Sequence, residues 1–180
     1  MKAKLGVILS ALLILVRNDT NAQAIDFRQL EFSLPQDSVI DGYLRTKPAG
    51  ETAAMMGFST SWVEVRYRPE PDSSSGHISI RISDMIHVSS FLILAMTGNV
   101  DRETKTGYER TVDYKGIKLL EAYDSLSRSG KLEMPIAGRF LVQIVGDDVS
   151  NVRILYHFLE LSDIARLEKL ALAIDNNKIK

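Results

Sequence analysis

Across Ser61 to Ile82 a tryptophan, three arginines and a histidine fall at alternating positions of two short stretches: Trp62, Arg66 and Arg68 in the first, His77 and Arg81 in the second. Guanidinium groups make forked hydrogen bonds to carboxylates and phosphates, and an indole offers a broad rigid contact surface. Together they have the composition of a recognition hot spot for a protein partner or a small anionic ligand. The five side chains share a surface only if both stretches are strands with Val63, Val65, Tyr67, Ile78, Ile80 and Ile82 turned inward. The competing expectation is an ordinary covered or solvated sheet face, where Arg and Glu commonly alternate.

Other chemistry is thinner. The histidines are His77, His87 and His157. Asp84 and His87 could offer two ligands on one turn, but two ligands do not hold zinc tightly, so neither a metal nor any other cofactor is expected. Asp147-Asp148 fits a turn ahead of a helix capped by Ser150 better than a calcium loop. There is no Gly-x-Ser-x-Gly elbow, and Gly57, Gly76 and Gly98 stand alone rather than in a phosphate-binding loop. Glu64, Asp84, Glu109 and Asp113 could converge as opposed carboxylates. A hydrolase with a dispersed carboxylate or histidine site is therefore the alternative to a non-catalytic binding or accessory module, and no catalytic residue is assigned.

Composition narrows the partners. The chain has 180 residues, 45% hydrophobic and 25% charged, with 22 basic against 23 acidic side chains and no cysteine. A net charge of −1 lacks the basic excess that phosphate backbones require, so nucleic acid is not expected as a partner. Without cysteine, disulfides, thiolate metal sites and thiol nucleophiles are excluded. Lys2 and Lys4 precede an apolar run from Leu5 to Val16 broken only by Gly6 and Ser10, and small residues recur at Ala22 and Ala24. This pattern predicts a secretory signal peptide over 1–24, cleaved after Ala24, because the run is shorter than the roughly 20 apolar residues a membrane span needs. The expected product is exported, periplasmic or extracellular. It comprises one domain over 25–174 and a frayed tail over 175–180, with no transmembrane anchor after cleavage.

The elements that must position these residues follow from periodicity. The stretches 61–68 and 77–82 alternate and read as a hairpin with a long loop. Phe91 to Met96 is apolar without alternation, with serines before it and Gly98 after, so Ser89–Met96 predicts a buried helix, with a buried strand as the competing reading. Tyr108–Tyr114 and Ile117–Tyr123 flank a Lys115-Gly116 turn. Leu132–Ile136 and Phe140–Val145 flank Ala137-Gly138, read as a two-residue connection. Val152, Leu155, Phe158 and Leu159, then Ile164, Leu167, Leu170 and Ala171, follow helical spacing. Phe27–Thr46 predicts one or two strands near Leu34-Pro35, and Lys47–Ala54 a loop or helical turn. The fold class expected is α+β: an antiparallel sheet of about six to seven strands, with one middle helix and C-terminal helices packed on it. This order of elements, over roughly residues 30 to 172, resembles the small exported domains of the PsbP and Mog1-like fold. That resemblance implies an accessory or binding role and carries no site residues across.

Overall fold

The computed structural model describes residues 23–55, 58–71, 76–86 and 98–177. Along the chain run α1 (Phe27–Glu31), β1 (Val39–Ile40), β2 (Tyr43–Arg45), β3 (Ala49–Met55), β4 (Phe58–Pro69) and β5 (Ile78–Asp84). They are followed by β6 (Asp101–Glu103), β7 (Gly107–Tyr114), β8 (Ile117–Asp124), β9 (Ser129–Ile136), β10 (Phe140–Gly146), α2 (Arg153–Glu160) and α3 (Ile164–Asn177). The strands form one ten-stranded sheet in the order β1-β2-β4-β5-β10-β9-β8-β7-β6, with β3 paired to β4 beside β2. Every pairing is antiparallel.

Alternation decides which face is buried. Val63, Val65 and Tyr67 of β4, Ile78, Ile80 and Ile82 of β5, Leu132, Met134 and Ile136 of β9, and Phe140, Val142 and Ile144 of β10 all enter one core. That face is covered at one end by α2 and α3, whose Leu155, Phe158, Leu159, Leu167 and Ala171 are buried. Phe158 meets the rings of Tyr43 and Tyr67 edge-on, with centroids 5.9 and 4.9 Å away. At the other end the core is closed by α1 and the chain around it, which bury Ile25, Leu30 and Leu34. Phe27 lies against Gly50 of β3, where a Cβ would stand 2.4 Å from its ring. Lys115 and Gly116 both have positive φ, 53° and 83°, matching the hand of the tight β7–β8 turn to the twist of its strands.

The expected α+β fold with six to seven strands is overturned by this sheet: the molecule is mostly β, and its described helices are the short α1 and the C-terminal pair. The additional strands carry little signal of their own. Ala-Gly-Glu-Thr-Ala-Ala-Met has no alternation and weak strand propensity, yet it becomes β3 by pairing with β4 from Ala49 opposite Glu64 to Met55 opposite Phe58. Asp101–Glu103 is wholly charged and becomes β6 on the edge of β7. The strands expected within Phe27–Thr46 are β1 and β2, which follow Leu34-Pro35 rather than surround it. Phe27–Glu31 is helical, with the Asp26 carboxylate accepting from the Arg28 amide as N-cap, and pairing starts only at Val39.

Smaller differences follow. The β9–β10 connection spans 137–139 rather than two residues, since Ile136 pairs with Phe140. The first turn of α2 is held by the Asn151 side chain accepting from the Arg153 amide, not by Ser150. The last helix continues into the expected tail as far as Asn177. The expected helix over Ser89–Met96 lies outside the described residues, as do His87 and positions 1–22 of the expected signal peptide. Among the described residues no helix is long and apolar enough to cross a membrane.

Candidate functional site

The sheet face opposite the core carries all five residues singled out in the sequence. Trp62, Arg66 and Arg68 project from β4, Arg81 from β5, and His77 stands at the same parity just ahead of β5. Trp62 is half-buried, with the Arg81 guanidinium stacked 4.2 Å from its ring centre. Glu64 lies opposite Arg81 in the register and bridges two arginines, accepting from Arg66 Nε at 2.9 Å and facing Arg81 Nη1 at 3.8 Å. Exposed pairs of this kind contribute about 0–1 kcal/mol each. Their consequence here is positional: Glu64 holds both the Arg81 guanidinium that stacks on the indole and that of Arg66 further along β4. Arg68 sits further along β4, opposite Leu44 of β2.

The register extends this face across the sheet. The row that begins at Arg66 and Ser79 continues through Val145, Lys131, Ala122 and Glu109 to Arg102. Its far half floors an open groove of about 420 Å³ in which Lys131 and Arg102 face Glu109, Asp124 and Asp147. Asp124 is held below the ordinary carboxylate range, chiefly by the backbone N–H of Ser127 and then by the Thr106 hydroxyl. His77 belongs to this end: its Nε2 lies 3.0 Å from the Asp147 carboxylate. The five predicted residues therefore occupy one face but two neighbourhoods, with Trp62, Arg66, Arg81 and nearby Arg68 at one, and His77 at the lip of the groove.

The other sequence candidates are dispersed. Glu64 and Glu109 are on this outer face, Asp113 accepts from the Gly116 amide in the β7–β8 turn, and Asp84 is on the core side. His157 on α2 is bonded to Asp41 in the β1–β2 turn, far along the chain from His77. Asp148 pairs with Arg128 at 3.0 Å. Among the described residues no group of three or more His, Cys, Asp or Glu side chains is placed to hold a metal ion.

Two buried polar centres lie on the core side; the sequence reading does not single out Glu121, and it names Asp84 only as a partner of His87 or a dispersed carboxylate. Glu121 of β8 is 3% exposed and accepts from Arg110 Nε and Nη2 at 3.0 and 2.7 Å and from the Tyr156 hydroxyl at 2.5 Å. Burial alone would raise its carboxyl, but hydrogen bonds from Tyr156, Tyr108 and Arg110 outweigh that and leave it below its ordinary value. The same contacts raise Tyr156 and Tyr108, in each case through burial first and Glu121 second. The second centre is Asp84, at the core-facing end of β5. Its side chain is fully enclosed and takes a forked contact from Arg139, with Nε at 3.0 Å and Nη2 at 2.7 Å. The backbone amides of Ile25 and Ile86 complete it at 2.8 and 3.2 Å. Arg139 also donates to the Gln23 carbonyl, and the Ala24 amide donates to Ser59 Oγ, so the amino-terminal strap is tied to this carboxylate and its surroundings.

Parity could have revealed both. Glu121 has the same phase as Leu119 and Tyr123, and Asp84 the same phase as Ile78, Ile80 and Ile82; a carboxylate at an inward position must find partners. No family model matches the chain, and neither a curated protein nor a solved structure matches it.

Proposed function

We propose that this protein is an exported, non-catalytic binding module, working in the periplasm or outside the cell, that holds a small anionic ligand on the outer sheet face around Trp62. The single observation that carries the reading is the stacked Trp62–Arg81 pair, with Arg66 fixed beside it through Glu64. Arg66, Arg68 and Arg81 outnumber Glu64 and Glu51 around Trp62, so the charge there complements a carboxylate or phosphate. The indole supplies contact area at low entropic cost. His77, paired with Asp147, marks where a longer ligand would reach the groove. Export is supported by the two amino-terminal lysines, the apolar run that follows and the small residues at positions 22 and 24. The accessory role implied by the resemblance to PsbP and Mog1-like domains is in keeping with this reading.

The chain contains one tryptophan, so its fluorescence reports on this face alone. Titration with citrate, inorganic phosphate and a glutamate tetrapeptide should give a saturable change in Trp62 emission that weakens with salt. Arg81→Ala and Arg66→Ala should each weaken it at least tenfold while leaving the thermal midpoint nearly unchanged. Emission that ignores all three probes, or binding indifferent to both substitutions, overturns the reading. In that case, a protein retained from the exported fraction by wild type but not by Trp62→Ala would replace the small anion with a protein partner.

A further inference from the structure

We propose that the processed amino terminus of this protein is itself the ligand of a buried site: cleavage after Ala24 frees the α-amino group of Ile25 against the carboxylate of Asp84, and the ammonium–carboxylate pair braced by Arg139 locks the mature fold. The inference rests on the export reading above.

The geometry already exists in the uncut chain. The Ile25 nitrogen lies 2.8 Å from Asp84 Oδ2, and the Asp84 side chain is sealed from solvent. The Ile25 side chain is part of the core, so its burial fixes the nitrogen whatever precedes it. Hydrolysis by a signal-type peptidase adds one water across the Ala24–Ile25 bond. The C–N bond breaks, Ala24 departs as a carboxylate, and the Ile25 nitrogen takes up a proton to become an ammonium. A free α-amino group titrates at about 7.7–8.0, and an adjacent carboxylate favours its charged form. The charged groups at it among the described residues are Asp84 of β5 and Arg139 of the β9–β10 connection, while Asp26, next along the chain, turns its carboxylate to the Arg28 amide. Cleavage gives up the bonds from Arg139 to Gln23 and from Ala24 to Ser59. It turns the retained amide contact into a charge-assisted one in an enclosed setting, where such bonds are strongest. Ala24 and Ile25 are both buried in the folded chain, so the cut must precede folding.

Two measurements test this. Expressed from the full sequence in a secreting host, the exported protein should begin at Ile25 by intact mass. A chain released from a fusion with Ile25 first should then melt about 3–8 °C above the same chain acetylated on that nitrogen. If the Asp84 carboxylate outweighs burial and the Arg139 guanidinium, the ammonium's pKa rises on folding, and this advantage is complete at pH 6 and lost as pH climbs through that pKa. Acetylation should cost nothing in an Asp84→Asn background; if that variant does not fold, the pH series alone decides between the two outcomes. An uncut chain overturns the export reading and this proposal with it. Export with Gln23 first, or equal midpoints for free and acetylated chains from pH 6 to 10, overturns the proposal alone.

Discussion

Glu121 is a buried acid on the core side of β8. A carboxylate that is 3% exposed survives as an anion because donors converge on it, two N–H groups of Arg110 and the hydroxyls of Tyr156 and Tyr108. Its folded-state pKa is depressed, so the unfolded chain binds the proton more readily. The stabilisation is present above the ordinary value of 4.5 and is lost as pH falls through the folded-state pKa. Tyr156→Phe removes one donor and keeps the ring, so the variant should be less stable at pH 7 by about 1.5–3 kcal/mol. Its Glu121 titrates higher than in wild type, so the deficit should narrow in strong acid. Urea midpoints at pH 7 and pH 3 measure this, and a gap that stays constant would mean that Glu121 is not the charged member of the set.

Among the elements, the contact of α2 with the sheet is set by two glycines. Gly130 of β9 and Gly146 of β10 are paired in the register, and Leu155 of α2 fills the space above both. A Cβ at Gly146 would stand 2.8 Å from Leu155 Cδ2 and 2.9 Å from Val149 Cγ1. Gly146→Ala is therefore expected to push the Leu155 and Val149 side chains aside and to cost about 1–3 kcal/mol by overpacking, read as a lower urea midpoint. A variant as stable as wild type would show that the α2 contact yields freely. The hairpins of β4–β5, β7–β8 and β9–β10 were legible from alternation, and α2 and α3 from helical spacing, because each buries an apolar stripe that its own sequence writes. β3 and β6 were not, since their strand state is imposed by a neighbour's open edge. The outer-face location of Trp62 and the arginines followed from parity alone. The burial of Glu121 and Asp84 is not legible, because the partners that make it tolerable, Tyr156 and Arg139, are 35 and 55 positions away.

At the scale of the whole molecule, a ten-stranded open sheet has edges that must resist pairing with other chains. The terminal strands do so by brevity and charge: β1 has two residues, and β6 is the exposed triplet Asp-Arg-Glu. The weaker point is β3. Among the described residues its seven residues pair with β4 on one side only, six of them are exposed, and Glu51 is its single charge. Glu51 is opposite Trp62 in the register, so the same residue borders the recognition face. A charge on an otherwise neutral edge makes strand-to-strand docking of two copies unfavourable, because each would bring its carboxylate to a shared ladder. Glu51→Thr removes that charge and raises strand propensity at once. Wild type is expected to sediment as a monomer at micromolar concentration, and the variant to show concentration-dependent dimers or larger species at unchanged thermal stability. If the variant stays monomeric across that range, the edge is guarded by its geometry rather than its charge, and β3 is not the point at which this sheet would meet a second copy.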